Sequence, residues 1–342
     1  MLGRLRKLVR LARQKTKSRI LWCVQMFGRP IVRWLSSDGD GVVELSFDGD
    51  GVVELAVPTT TGELQFTLLA PPRFSSTQSE MAIDAWKWYR ALSERGKVYE
   101  PIMLACLTRV LQRTATPRFM DIGAFLGYYA CYVSALLDCC HEVHAIESNP
   151  LFAEAIRESA RVNEFSQLRV FQAALSDRVE PVSIQGLTVS QDANSYCMTT
   201  TLDELCEREH LRPTVVKMDV HGAEGKIMLG MRKTLAEVEY LLLEMHNLPW
   251  LQNYSPGVTR TAMLDVLEDS GLTLYYVAGL HDRGNEPDLQ ELLAGRAYSY
   301  RKLHGQARDL LLFDRRQDEF VLALRHGDIE SLLGPSVSPA NE

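Results

Sequence analysis

From Arg118 onward the chain alternates two kinds of apolar pattern. Short continuous apolar runs fall at 118–122, 142–147, 168–174, 214–220, 240–246, 272–278 and 319–325, and these read as strands. Between them, apolar residues recur every three to four positions at 127–138, 150–164, 201–210, 223–236 and 259–270, which predicts helices. Strand and helix in alternation imply a parallel sheet covered on both faces. Thr201-Leu202-Asp203-Glu204 is a capping box that starts one of the helices. Two more helices are expected at 79–95 and 101–113, after the break at Pro71-Pro72. Residues 281–308 are polar and contain glycine, and they read as an inserted loop or lid.

The N-terminal part has a different pattern. Residues 2–13 place Leu2, Leu5, Leu8, Val9 and Ala12 on one helical face and Arg6, Lys7, Arg10 and Arg13 on the other. Such a basic amphipathic helix suits an anionic membrane surface, a solvated tail, an arm that packs on the acidic body, or an organellar transit segment. Asp38-Gly-Asp-Gly-Val-Val-Glu-Leu then recurs unchanged from Asp48 to Leu55. Asp-Gly is turn chemistry and Val-Val-Glu-Leu is strand chemistry, so short hairpins are expected. The Asp-x-Asp-Gly spacing lacks the other ligands of a calcium loop. Leu64–Leu69 reads as a further strand. The expected organisation is an arm at 1–37, a repeat-bearing β/helical extension at 38–98, an α/β domain at 99–328 and a flexible tail at 329–342.

Charge sharpens this division. Ten cations, from Arg4 to Arg33, precede the first acid, Asp38. The rest of the chain carries 27 cations against 44 acids, a balance of −17. An acidic body disfavours a nucleic-acid grip and leaves residues 1–35 as the segment suited to peripheral contact with anionic membrane. At 342 residues, 46% hydrophobic and 24% charged, the chain has the composition of a soluble globular protein. No apolar run has the length of a membrane span. The seven cysteines show neither zinc-finger nor redox spacing, which fits reduced thiols in a cytoplasmic protein. The apolar stretch near Ile20–Phe27 is too short, and lacks the small-residue site, for a secretory leader.

Candidate chemistry gathers in two segments. The first is Asp121-Ile122-Gly123-Ala124-Phe125-Leu126-Gly127, an apolar run ending in an acid and two glycines before a helix. Glycine there lets backbone approach a ligand, and the helix start offers its N–H groups. Glu147 ends the next strand about twenty residues on, where an acid takes a ribose diol. Asn149-Pro150 follows as a helix start. The nicotinamide fingerprint Gly-x-Gly-x-x-Gly is absent. The second segment is Lys217-Met218-Asp219-Val220-His221-Gly222-Ala223-Glu224. Lys217, Asp219 and His221 alternate, and the next strand ends Glu244-Met245-His246. If these two strands are neighbours, Asp219, His221, Glu244 and His246 converge. That set suits a general base or a carboxylate–imidazole metal site. Nothing in the spacing alone demands an ion, so the expectation is a metal-free base. The plain alternative is that Asp219 and Glu224 serve a helix start and the histidines are hydrogen-bonded fillers.

These pieces resemble the FkbM-type methyltransferases, a branch of the class I S-adenosylmethionine-dependent enzymes. The resemblance runs through Asp121-Ile-Gly-Ala-Phe-Leu-Gly-Tyr128, His144-Ala-Ile-Glu-Ser-Asn-Pro150, Ala173-Ala-Leu-Ser-Asp177, Thr200-Thr-Leu-Asp-Glu-Leu205, Lys217 to Glu224 and Leu243-Glu-Met-His246, in the family's order, over roughly residues 99–325. It implies a Rossmann-like sheet of seven strands with the last antiparallel. It implies that Asp121, Gly123 and Gly127 lie along the methionine part of S-adenosylmethionine, with Ala124, Tyr128 and Asn149 also binding the cofactor. Glu147 would hold the ribose, the Ala174 region would meet the adenine, and Asp219 would hold the cofactor amine or orient the base. The family usually carries Glu at the position of His221 and Asn at that of Phe125.

The expected activity is therefore methyl transfer, most simply to a hydroxyl of a sugar, glycan or small secondary metabolite, with Asp219, His221 and His246 as the catalytic candidates. Two other readings remain open at this point. One is a nicotinamide oxidoreductase, which lacks its glycine fingerprint here. The other is a non-catalytic binding module recruited by the basic arm.

Overall fold

The computed structural model of the chain describes residues 21–26, 29–35, 42–46, 52–59, 62–69, 77–185, 188–190, 196–280, 287–305 and 318–337. The amphipathic segment 2–13, both Asp-Gly-Asp-Gly stretches of the repeat and residues 338–342 lie outside the described residues.

The N-terminal strands β1 (Leu21–Met26), β2 (Arg29–Leu35) and β3 (Val42–Ser46) form an antiparallel sheet. β4 (Val52–Thr59) and β5 (Gly62–Leu69) form a hairpin. Each Val-Val-Glu-Leu copy is a strand, as its composition predicts, but the two copies lie in different sheets. Helices α1 (Thr77–Glu94) and α2 (Pro101–Arg113) follow. Next come β6 (Arg118–Ile122), α3 (Tyr128–Leu136), β7 (Glu142–Glu147), α4 (Pro150–Val162) and β8 (Leu168–Gln172). A small antiparallel sheet of β9 (Pro181–Gln185), β10 (Thr188–Ser190) and β11 (Tyr196–Met198) precedes α5 (Leu202–Glu209). The chain continues through β12 (Val215–Met218), α6 (Glu224–Leu229), α7 (Arg232–Leu235), β13 (Tyr240–Met245), α8 (Leu248–Tyr254), α9 (Arg260–Asp269) and β14 (Thr273–Val277). It ends with α10 (Leu289–Leu293), β15 (Tyr300–Lys302), β16 (Glu319–Leu324) and α11 (Ile329–Leu333).

The central sheet has the order β15-β14-β16-β13-β12-β6-β7-β8. β13, β12, β6, β7 and β8 pair in parallel, and β16 runs antiparallel between β13 and β14. This is the class I methyltransferase sheet, with its last strand reversed as the resemblance implies. An eighth strand, β15, is added at the edge, antiparallel to β14. It and α10 occupy the segment that reads in sequence as a loop or lid. Residues 329–333 also depart from expectation. They form α11 rather than a flexible tail, because Ile329, Leu332 and Leu333 are buried in the core.

One apolar cluster covers each face of the sheet. The extension belongs to the first, since Val53, Leu55, Val57, Phe66 and Leu68 are buried in it. β5 is tied to α4 by hydrogen bonds from Thr67 N to Asn163 Oδ1 (2.8 Å) and from Leu69 N to Ser159 Oγ (3.0 Å). The helices begin where their chemistry predicts. The Thr201 hydroxyl accepts from Glu204 N, and the Glu204 carboxylate accepts from Thr201 N, which closes the capping box. The single helix expected over 223–236 divides into α6 and α7. Gly230 sits at the division, where a Cβ would lie 2.3 Å from the Ser176 carbonyl oxygen. Among the described residues no helix is long and apolar enough to cross a membrane.

Candidate active site

From β6 the chain winds outward in one direction to β7 and β8, and from β12 in the other to β13. The boundary between β6 and β12 is thus a topological switch point, where a crevice opens beyond the strand ends. The loops after β6, β7, β8 and β12 all meet there. They line a cavity of about 310 Å³ with Ile122–Phe125, Glu147–Ser148, Ala173–Leu175 and Asp219–His221 on its walls. Trp88, Tyr89, Tyr99, Tyr128 and Tyr129 close it from the side of α1 and α3.

Gly123 holds two loops together. Its φ is +79°, and a Cβ there would stand 1.9 Å from the Asp219 carbonyl oxygen. Only glycine tolerates both. Gly127 (φ +81°) precedes α3 and packs on Ile156.

Glu147, at the end of β7, is buried at 7% exposure. Its carboxylate accepts from Phe125 N (2.8 Å) and Asn149 N (2.7 Å), so it ties the glycine loop to the next turn. Burial raises its pKa to about 7, against the lowering effect of those two donors. Asn149 lies behind the cavity and caps α4 through Oδ1, which accepts from Leu151 N.

Lys217 is the buried cation of the site. Its ammonium stands 3.6 Å from Asp121 Oδ1 and 3.4 Å from Asp219 Oδ2, and 4.9 Å from the centre of the Tyr129 ring. Burial opposes its charge, yet Asp219, Asp121, Glu100 and Glu244 together push its pKa up. Asp219 is likewise disfavoured by burial, and Lys217, His221 and His246 bring it down to about 2. Asp121 lies behind the cavity wall and is raised by burial; neither of its oxygens has a hydrogen bond. Glu100 accepts from the Tyr129 hydroxyl at 2.6 Å and is raised by burial and by Asp219.

β12 and β13 are neighbours, with Met218 opposite Leu243. Asp219, His221, Glu244 and His246 therefore converge. His246 Nε2 is 3.7 Å from Asp219 Oδ1 and 3.9 Å from Glu244 Oε1, and His221 Nδ1 is 3.9 Å from Asp219 Oδ1. His246 Nδ1 meets Glu224 Oε1 at 2.6 Å. Burial works to lower His246, but Glu224, Asp219 and Glu244 raise it to about 10. In that state it carries a proton near neutral pH and holds the carboxylates around it. His221 is the histidine that reaches the cavity, at a left-handed backbone position (φ 52°).

Tyr89, Tyr99, Tyr129 and Glu100 are site residues that the strand-end motifs do not reveal. They come from the segments before β6 and from the α3 face. Tyr129 follows the glycine loop on α3, whereas no spacing rule ties Tyr89, Tyr99 and Glu100 to that loop, and tertiary packing brings them in.

Residues 121–271 match the profile described as the methyltransferase FkbM domain. Over this stretch the chain is similar to the FkbM methyltransferases. That stretch contains both glycine and Lys-x-Asp blocks and the Glu244–His246 strand end. Among curated proteins, the hexuronic acid methyltransferase AglP of Haloferax volcanii is 28% identical over 134 residues, covering 37% of this chain and 54% of that protein. The chain thus spans about half the length of that relative. Solved structures similar to the chain include the CurJ carbon methyltransferase, at 12% identity over 73% of this chain and 59% of that one, with a TM-score of 0.39. They also include Aeropyrum pernix fibrillarin with bound S-adenosyl-L-methionine, at 12% identity over 89% and 99% of the two chains, with a TM-score of 0.37.

Proposed function

We propose that the protein is an S-adenosylmethionine-dependent O-methyltransferase whose acceptor is a hydroxyl of a sugar, glycan or small secondary metabolite. The carrying observation is one cavity bounded on one side by the glycine loop and Glu147, and on the other by Asp219 and His221. The donor set fits the cofactor. A carboxylate has about four lone-pair positions, so Glu147, which accepts two backbone N–H groups, keeps capacity for a ribose diol. Ala173, Ala174 and Leu175 give an apolar wall for adenine. Gly123, Ala124, Gly127 and Tyr128 frame the methionine end, while Asp121 and Asn149 support it from behind.

When bound, S-adenosylmethionine supplies a methyl group on a positively charged sulfur, an activated leaving group. The chain's part is to align the acceptor oxygen, exclude water and remove the hydroxyl proton. His221, at the cavity surface, is the candidate to draw that proton, with Asp219 and His246 fixing it from beneath. A sugar acceptor is favoured by the relative that acts on hexuronic acid. We assign this chemistry to residues 99–328, and to the basic arm a peripheral hold on anionic membrane.

The test is transfer of a radiolabelled methyl group from S-adenosylmethionine to a panel of glycosides, hexuronates among them. Transfer to a hydroxyl that falls by about 10²-fold in His221→Ala supports the proposal. Transfer to nitrogen or carbon acceptors, with none to hydroxyls, overturns the O-methylation reading.

A further inference from the structure

Asp219, His221 and His246 meet without bonding one another. The two separations from Asp219 Oδ1, 3.7 Å to His246 Nε2 and 3.9 Å to His221 Nδ1, exceed hydrogen-bond length. One donor atom from each of the three residues nevertheless falls within 4.8 Å of the others. Metal–ligand bonds of about 2.1 Å at tetrahedral angles set donors roughly 3.4 Å apart. We infer that Asp219, His221 and His246 form the binding site of a divalent first-row transition-metal ion.

Four features of the surroundings carry the inference. First, Asp219 divides its oxygens: Oδ2 faces Lys217, while the buried Oδ1 has no hydrogen-bond partner and is the oxygen the two imidazoles approach. An orphaned buried acceptor is costly unless something takes it. Second, His246 is oriented as a ligand. Its Nδ1 is engaged by Glu224, which itself accepts from Gly222 N at 3.1 Å, so Nε2 is the nitrogen left facing Asp219, where an ion would take the place of the proton. A carboxylate behind a histidine is the usual support of a metal-binding imidazole. Third, the two loops are locked. A Cβ at Gly222 (φ +101°) would lie 2.4 Å from the Trp250 carbonyl oxygen, Ser255 Oγ donates to Gly222 O at 2.8 Å, and the buried Arg260 guanidinium donates to His246 O at 3.0 Å. Fourth, His221 keeps a left-handed backbone although it is not glycine, a strained conformation that collects at functional positions.

Two imidazoles and one carboxylate select zinc, iron, cobalt or manganese over magnesium or calcium. Glu244, 3.9 Å from His246 Nε2, adds negative charge beneath the site. His246 also falls in a grouping with Glu244 and Asp318, but Asp318 Oδ1 already accepts from Asn247 N and Nδ2. Asp219 and His221 line the cavity, so the open coordination positions of the ion face the acceptor. With an ion bound, the two imidazoles would serve as ligands rather than bases, and a hydroxyl oxygen held there would lose its proton to solvent more readily. That catalytic consequence rests on the methyltransferase reading; the ion site itself does not.

The experiment uses the full chain, stripped with chelator and titrated with Co²⁺ while visible absorption is followed. One equivalent of Co²⁺ with the band intensity of four- or five-coordinate geometry is expected. His221→Ala and Glu224→Gln should each weaken binding by about 10-fold or more. Asp138, Cys140 and His141 form a separate grouping of donors in which Cys140 is exposed, so Cys140→Ser serves as the control and should leave the titration unchanged. Absence of saturable Co²⁺ binding, binding unchanged in His221→Ala, or binding lost in Cys140→Ser overturns the inference. S-adenosylhomocysteine is titrated into the same proteins. Cofactor binding without Co²⁺ binding sinks the ion site alone. Co²⁺ binding without cofactor binding supports the ion site and sinks the methyltransferase reading.

Discussion

Glu147 should make the fold pay a pH-dependent penalty that cofactor relieves. Its folded pKa of about 7 lies above the 4.5 of a free glutamate, because burial disfavours the ionised form. The sign follows from proton counts. Between about pH 4.5 and 7 the folded state holds a proton here that the unfolded state has lost, so stability falls as pH rises through that window. The slope from this one group approaches about −1.4 kcal/mol per pH unit, and the full penalty above pH 7 is about 3 kcal/mol. Ribose hydroxyls that donate to Glu147 favour the ionised carboxylate. Binding of S-adenosylhomocysteine near pH 6 should therefore release a proton. The assay is urea unfolding across that window for wild type and Glu147→Gln, with calorimetry of binding in buffers of different ionisation enthalpy. The variant should lack the negative slope and the proton release. Identical slopes in the two proteins would refute the reasoning.

Other outcomes follow from the same geometry. Gly123→Ala should destabilise by about 3 kcal/mol or more, since the new methyl meets the Asp219 carbonyl at 1.9 Å and the backbone is left-handed; a denaturation midpoint equal to wild type would show that the loops part freely. Lys217→Met leaves Asp121 and Asp219 buried without their cation and should cost about 3–5 kcal/mol in chemical unfolding; a loss under 1 kcal/mol would mean the site is wetter than described. Deleting residues 1–35 should abolish salt-sensitive sedimentation with anionic vesicles while leaving cofactor affinity intact; equal sedimentation of both forms would leave the arm as a solvated tail.

The sheet was legible because buried parallel strands are continuous apolar runs, and all seven that the pattern marks are strands of the central sheet. The site was legible where chemistry sits at strand ends. Glu147 follows the glycine loop at the spacing of one βα unit, and Asp219 and Glu244 both end apolar runs. The convergence of His221 and His246 was conditional in sequence, because strand adjacency is a tertiary fact. The β12–β13 pairing supplies it. What lay hidden has physical reasons. α8 is a single short helix whose cap, Asn247, and early Pro249 give too little periodicity to mark it. Glu100, Tyr89 and Tyr99 carry no motif, and their place at the cavity is a matter of tertiary packing. Glu147 also does more than its strand-end position suggests, since Phe125 N and Asn149 N both depend on it.

The central claim is that the cavity between the glycine loop and Asp219 holds S-adenosylmethionine, with Glu147 on the ribose. Calorimetric titration of S-adenosylhomocysteine into the full chain and into folded Glu147→Gln tests it most directly. Saturable binding at one site is predicted for the wild type. Loss of one charge-assisted hydrogen bond, about 1.5–3 kcal/mol, should weaken the variant by roughly 10-fold or more. No saturable binding to the wild type, or equal affinity in the variant, would contradict it.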